Sequence, residues 1–249
     1  VGSRWFIERC NALAYGAKMP RVSWPTQLSQ FNMPLPPLPE QERIAAYLDA
    51  SCAAIDAAVA SKRCQIETLD ALRKSIIHKA VTCGLSDAIE LKDSGVEWLG
   101  KIPVHWPIKR IKNIVDLKSG NAITSDSITP NGDYPVFGGN GLRGYTNSYT
   151  HDGYYVLIGR QGALCGNINY AEGKFWASEH AVVAITLKKH DTFWLGELLR
   201  MMNLNQYSNA AAQPGLAVER IKLLRIPVPP YEEQIWIASW LKNTIIKNE

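Results

Sequence analysis

The chain has 249 residues, 46% of them hydrophobic and 20% charged, enough ordinary apolar material for one or two cores of a soluble protein. No apolar run is long enough to cross a bilayer, and the opening Val1-Gly2-Ser3 is neither a signal peptide nor an initiator methionine. The formal net charge of +4 permits nucleic-acid binding through a local patch without requiring it.

Residues 1–38 are too short to hold a core. Positions 5–15 read as a helix end, and 20–25 as turn and strand material between Pro20 and Pro25. The run Pro34-Leu35-Pro36-Pro37-Leu38 then precedes a stretch with no Pro or Gly between Pro39 and Gly84. Pro39 suits the first helical position, where a missing N–H costs nothing, and Glu40 and Glu42 suit the positive end of the dipole. A helix over 39–83 is predicted, roughly 65 Å long at about 1.5 Å per residue. Leu48, Cys52, Ile55, Val59, Ile66, Leu69, Ile76 and Ala80 form an apolar seam along it, broken at Lys62 and Arg73 and partly restored by Leu72 and Ile77. So narrow a stripe on so long a helix implies a second helix to bury it.

From about Val96 the period changes. The runs Tyr154-Tyr155-Val156-Leu157-Ile158 and Ala181-Val182-Val183-Ala184-Ile185 read as buried strands. Between them lie the glycine turns Gly138-Gly139-Asn140-Gly141, Gly159-Arg160-Gln161-Gly162 and Glu172-Gly173-Lys174, and a helix over 192–202 starts from Asp191 as N-cap. Residues 96–228 are expected to form a compact mixed α/β domain of the α+β type, attached to the long helix.

The opening pattern then returns. Pro36-Pro37-Leu38-Pro39-Glu40-Gln41 reappears as Pro229-Pro230-Tyr231-Glu232-Glu233-Gln234, and Ile44-Ala45-Ala46-Tyr47-Leu48 as Ile237-Ala238-Ser239-Trp240-Leu241 in the same register. Met33-Pro34-Leu35 corresponds to Ile226-Pro227-Val228. An internal repeat of this kind is one structural unit used twice. The five cysteines, Cys10, Cys52, Cys64, Cys83 and Cys165, form no CxxC pair and read as reduced thiols of a cytoplasmic protein.

These features, with Asp93-Ser94-Gly95-Val96-Glu97-Trp98-Leu99-Gly100-Lys101-Ile102-Pro103-Val104-His105-Trp106, resemble the specificity subunit of Type I restriction–modification systems. Gln213-Pro214-Gly215-Leu216 resembles the close of that family's target recognition domain. The resemblance implies four segments. Residues 1–35 would be the tail of a first recognition domain and 36–84 the central conserved region. Residues 88–228 would be a second recognition domain, and 229–249 the start of the distal conserved helix. It implies duplex DNA as ligand, methyltransferase subunits docked on the conserved helices, and the restriction subunit reached through them. S-adenosylmethionine, ATP and Mg would belong to those partners and none of them to this chain. The first recognition domain is nearly absent and the second helix short, so this chain alone would read one half of a bipartite target.

A domain that reads duplex DNA combines phosphate anchors with side chains that reach base edges. Lys101, His105, Lys109, Arg110, Lys112 and Lys118 make one region locally basic; Lys109, Lys112, Lys118 and Lys174 are the anchor candidates. Their alternative is a solvated surface. The glycine turns are the base-contact candidates, because glycine lets a loop approach a groove closely. Arg160 and Arg143 suit guanine O6 and N7, and Gln161 and Asn140 suit adenine. Hairpins with solvated tips are the alternative. Ser178, Glu179 and His180 precede a strand and line the same surface, His180 as a structural hydrogen-bonder.

Three catalytic patterns fail on context. Phe137-Gly138-Gly139-Asn140-Gly141 fits an S-adenosylmethionine motif, but no helical period follows it. Val228-Pro229-Pro230-Tyr231 has Val where a methyltransferase needs an amide or carboxylate, and Asp152, Glu172 and Lys174 are loosely spaced for a nuclease. No P-loop and no His/Cys metal spacing occurs. An enzyme with its own site and a coiled-coil interaction protein that ignores DNA remain the alternatives. The seam of Leu48, Ile55, Val59, Ile66, Leu69 and Ile76 also predicts antiparallel pairing of two chains.

Overall fold

A computed structural model describes residues 4–16, 19–32, 35–162, 164–208 and 215–246, without the side chains of 245 and 246. Met33 and Pro34 of the repeat flank, and Gln213 and Pro214 of the closing motif, lie outside the described residues. The chain divides into two units, Val1–Gln65 and Ile66–Glu249.

In the first unit, helix α1 (Arg4–Leu13) buries none of its residues, as expected of a segment too small for a core. Gln27 closes the turn after it, donating to Leu13 O at 3.0 Å and accepting from Ser23 N at 2.8 Å. Helix α2 (Leu38–Cys83) begins in this unit and ends in the second. Gln41 Nε2 donates to Pro36 O at 2.7 Å, closing the proline run onto the helix start. The helix stops where Gly84 takes φ +81, a left-handed conformation cheap only for glycine, with its N–H on Ala80 O. By length and composition alone α2 is a candidate membrane span, contrary to the reading of apolar runs. Asp49, Asp56 and Lys62 nevertheless put a charge on it every six or seven residues. The predicted seam is open to solvent over most of its length, with Ile55, Ile66 and Leu69 62%, 61% and 63% exposed, whereas Ala80 at its end is buried.

In the second unit the last turns of α2 bury Ile77, Ala80 and Val81 in the main core. Then follow β1 (Leu91–Asp93), β2 (Lys101–Pro103), β3 (Ile108–Arg110), β4 (Val115–Ser119), β5 (Tyr134–Gly138), β6 (Gly141–Thr146), β7 (His151–Asp152), β8 (Tyr155–Gly159), β9 (Ile168–Ala171), β10 (Lys174–Ala177) and β11 (Ala181–Thr186). Helices α3 (Thr192–Met201) and α4 (Val218–Leu223), strand β12 (Arg225–Pro227) and helix α5 (Tyr231–Leu241) complete it. Asp191 caps α3 as predicted, accepting from Trp194 N at 2.7 Å.

Two four-stranded sheets carry the unit, in orders β4-β11-β8-β9, all antiparallel, and β6-β5-β10-β7, in which β5 and β10 are parallel. The first sheet is covered on both faces. Val156, Ile158, Val182 and Ala184 join the large cluster with Trp194, Leu195, Leu198 and Leu199 of α3. The alternate residues Leu157 and Val183 meet Phe175 and Ala177 of β10. Side chains alternate along a strand, so burial on both faces demands an unbroken apolar run. That is why β8 and β11 read as continuous runs.

The two copies of the repeat share their local geometry. Gln234 Nε2 donates to Pro229 O at 2.8 Å, as Gln41 does to Pro36. Their surroundings differ: Leu241 is 1% exposed in the core, whereas its counterpart Leu48 is 52% exposed. The long signature run is structural as well. Asp93 Oδ1 accepts from Gly95 N to form a turn, and Trp106 is fully buried. Glu233 of α5 clamps the end of that run, bonding His105 Nε2 at 2.8 Å and Trp106 Nε1 at 2.9 Å.

Candidate nucleic-acid interface

The register of the first sheet brings one end of three strands together, because Val182 lies opposite Ser119 and Ala181 opposite Gly159. Arg160 leaves β8 at that end. Its N–H donates to His180 O at 2.9 Å, its carbonyl accepts from Leu216 N at 2.9 Å, and its guanidinium donates to Ser119 Oγ at 3.2 Å. Gln161 is held opposite Gly215 by a single bridge. The β5–β6 turn packs directly on this loop. A Cβ on Gly159 would overlap Gly139 O, and one on Gly139 would stand 3.0 Å from His180 O. Glycine at 159 is what lets the two turns touch, and a side chain at 139 would be tight.

A shallow pocket of about 360 Å³ opens between them, lined by Gly139, Asn140, Arg143, Gln161 and His180 among others. Asn140, Arg143 and Gln161 are exposed. Their polar neighbours are ordered: Asn167 Nδ2 donates to Asn140 Oδ1 at 2.9 Å, and His180 Nδ1 lies 3.0 Å from Gln161 Oε1. Three of the four base-contact candidates, Gln161, Asn140 and Arg143, thus line this pocket, Arg143 from β6, and Arg160 adjoins it on the turn after β8. Sequence reasoning missed Ser119 and Asn167, which hold Arg160 and Asn140. The Gly166-Asn167 turn was the one available signal for the latter.

The lysine candidates do not gather there. Lys109 on β3 and Lys112 after it precede β4, whose far end carries Ser119, so about 17 Å of strand separates them from Arg160. Lys118 is at the right end of β4 but sits 3.3 Å from Asp116. Lys174 starts β10 opposite Asp152, with its ammonium 4.8 Å from the Tyr149 ring centre. The anchor candidates are therefore spread over several elements, and of the four only Lys118 reaches the end of the sheet that carries Arg160.

The catalytic look-alikes resolve into ordinary structure. Phe137-Gly138-Gly139-Asn140-Gly141 is the turn of the β5–β6 hairpin, with no helix after it. Val228 of the second motif is buried beneath α5. Among the described residues no three His, Cys, Asp or Glu side chains are grouped to hold a metal ion. A larger cavity of about 1200 Å³ lies beside α3, lined by Tyr170, Glu197 and Arg200 among others. Tyr170 donates to Glu197 Oε1 at 2.8 Å, and burial pushes its phenol far above the ordinary value. That cavity is lined by residues of α2, β9, α3 and α5 and by none of the four base-contact candidates.

The family model for the Type I restriction modification DNA specificity domain matches residues 103–249, more than half of the chain. The chain belongs to that family. The specificity subunit of the Escherichia coli type I restriction enzyme EcoprrI is 44% identical over 137 residues, covering 53% of this chain and 34% of that one. The fold is similar to the HsdS subunit from Thermoanaerobacter tengcongensis, with a TM-score of 0.56 at 20% identity over 95% of this chain and 59% of that one. It is also similar to a chain from a type I restriction–modification complex solved for its assembly and conformational transition, with a TM-score of 0.60 at 20% identity over 99% and 61%. The chain spans about a third of the length of the Escherichia coli relative. The mixed α/β domain with its long helix is the architecture of this specificity family.

Proposed function

We propose that the chain is a DNA-recognition subunit that reads one half of a bipartite duplex target and leaves the chemistry to its partners. One observation carries this: Gln161, Asn140 and Arg143 line one pocket next to Arg160, where the β5–β6 turn packs against the turn after β8. Rigid presentation of Arg, Asn and Gln side chains is what direct base readout requires. Lys118 beside them, and Lys109, Lys112 and Lys174 further off, supply phosphate contacts along the flanks. Helices α2 and α5 dock the methyltransferase subunits, which hold S-adenosylmethionine, and through them the restriction subunit with its ATP and Mg. Two copies pair antiparallel along the open seam of α2 and set two recognition domains apart.

The test is to combine the chain with its methyltransferase subunits and map the modified adenines across a genome, for the native chain and for Arg160→Ala. The expected result is one recognition motif whose single base pair becomes degenerate in the variant, with discrimination there falling by about 1–3 kcal/mol. Uniform loss over all sites would make Arg160 a phosphate anchor. No motif at all would reject the reading.

A further inference from the structure

Strands β3 and β12 form a two-stranded antiparallel ribbon in which Arg110 stands directly opposite Arg225. Ile111 N donates to Leu224 O on one side of that pair, and Val228 N to Pro107 O further along, both at 2.9 Å. Bonded positions alternate along an antiparallel ladder, so the two arginines occupy a non-bonded position, where Cα atoms come to about 4.5 Å and side chains stand closest. Like charges placed in this way work against folding. Both side chains are exposed, and among the described residues neither guanidinium has an ion-pair or hydrogen-bond partner. Carboxylates of the neighbouring elements are engaged: Asp116 lies 3.3 Å from Lys118, Glu219 2.9 Å from Lys222, and Glu233 holds His105 and Trp106. Further cations gather at the ribbon. Lys109 and Lys112 are exposed beside Arg110 in the chain, and Leu187 N donates to Ile114 O at 2.8 Å, which brings exposed Lys188 to the same end of the sheet. The charges of Lys109 and Lys188 both bear on His190.

We infer that the β3–β12 ribbon is a phosphate clamp for duplex DNA, in which Arg110 and Arg225 grip one backbone phosphate and Lys109, Lys112 and Lys188 draw in the strand beside it. A guanidinium presents a rigid fork of donors that matches phosphate oxygens, and an anion held between two of them offsets the repulsion that the folded chain otherwise bears. Further cations around the pair suit a backbone of evenly repeated negative charge. Strand β4 puts about 17 Å between the ribbon and Ser119, which holds Arg160. At about 3.4 Å per base pair, that is about five base pairs of duplex. The clamp therefore fixes position and contributes affinity without reading bases. Arg225 is far from Arg110 in the chain, and only strand pairing brings the two together. This inference rests on the DNA-recognition reading above.

The experiment selects duplexes from a randomised library with the full chain. The selected duplex and a random one are then titrated at several salt concentrations against the native chain, Arg110→Gln, Arg225→Gln and the double variant. Each single variant is expected to weaken both duplexes about tenfold, with the selected motif unchanged and the salt slope lower by about 1. The double variant should be little worse than either single one, because the two side chains share one phosphate. Trimming the selected duplex from one end until the gripped phosphate is lost should abolish the difference between native and variant. Urea should unfold the variants no earlier than the native chain, since a repulsive pair has been removed; an earlier midpoint would mean that the pair stabilises the fold and overturns the clamp. Unchanged affinity for both duplexes overturns it and leaves the recognition reading standing. So does a loss of methyltransferase co-purification with DNA affinity intact, which gives the ribbon to an acidic protein surface. A loss confined to one base pair makes the arginines readers and overturns the clamp as well. A native chain that selects no motif overturns both readings.

Discussion

Gln234 donates its side-chain amide to the carbonyl of Pro229 at 2.8 Å, inside the core of the second unit. Its Oε1 accepts from Asp191 N at 2.9 Å, and its Nε2 also lies 3.1 Å from His190 Nδ1. One side chain thus ties the start of α5 to the start of α3. Gln41 makes the equivalent bond to Pro36 on an exposed helix end and has none of those further partners to organise. Truncation leaves buried polar groups unpaired in one copy only. Gln234→Ala is expected to cost about 1–3 kcal/mol, and Gln41→Ala no more than about 0.5 kcal/mol. Urea unfolding of the two variants checks this, and equal costs would show that the turn itself, not the buried network, is what matters.

Gly159 is the next point of leverage. A Cβ there would run into Gly139 O on one side and stand 2.9 Å from Leu164 O on the other, both of them backbone atoms that cannot swing away. Gly159→Ala therefore forces apart the two turns that form the pocket. The expected loss of stability is about 1–3 kcal/mol, the usual cost of overpacking. Affinity for target duplex should fall further than affinity for random duplex, because phosphate contacts survive a shifted loop and base contacts do not. Titrating both duplexes against the variant decides it; parallel losses would mean that the turns need no fixed spacing.

Much of this was legible in the chain, and the illegible part has a common cause. Helix α2 follows from the want of any Pro or Gly between Pro39 and Gly84, and β8 and β11 follow from unbroken apolar runs. Both are local properties. The pocket is not local: Asn140, Gln161 and His180 meet through the register of β8 with β11 and the packing of Gly139 on Gly159. No periodicity carries that information. The same holds for the lysines, which look like one patch in sequence because Lys109, Lys112 and Lys118 are close in number, yet β4 carries them to opposite ends.

Acid should loosen the second unit. Burial holds the His190 imidazole below its ordinary value, with the charges of Lys109 and Lys188 pushing the same way, and burial likewise lowers His151. Gln234 Oε1 is engaged by Asp191 N, so its NH₂ faces His190 Nδ1, which can accept only while unprotonated. The sign follows from proton binding. Below about pH 6.5 the unfolded chain takes up protons that the folded chain resists, so stability is full above that pH and is lost as pH falls through the depressed folded values. Thermal unfolding between pH 8 and pH 5 should show a falling midpoint, and His190→Gln should show a shallower fall. An unchanged slope in that variant would assign the effect elsewhere.

The seam of α2 gives the last expectation. Leu48, Ile55, Ile66 and Leu69 are all more than half exposed on one stripe interrupted at Lys62, where isolated apolar residues would call for no explanation but a recurring row does. Burying each stabilises a complex by about 1.5–3 kcal/mol, whereas association costs about 4–15 kcal/mol of lost freedom. Four such residues on each of two copies are sufficient for a dimer of moderate affinity. Two chains running antiparallel would place the same stripe against itself, as an isologous contact requires. Light scattering should therefore show a mass that climbs towards two chains with concentration. Leu69→Asp puts a charge in the middle of the stripe, where it would be desolvated on both copies, and should hold the protein at one chain over the same range. A native mass that stays at one chain, or a variant that pairs as well as the native protein, would leave the stripe to a different partner.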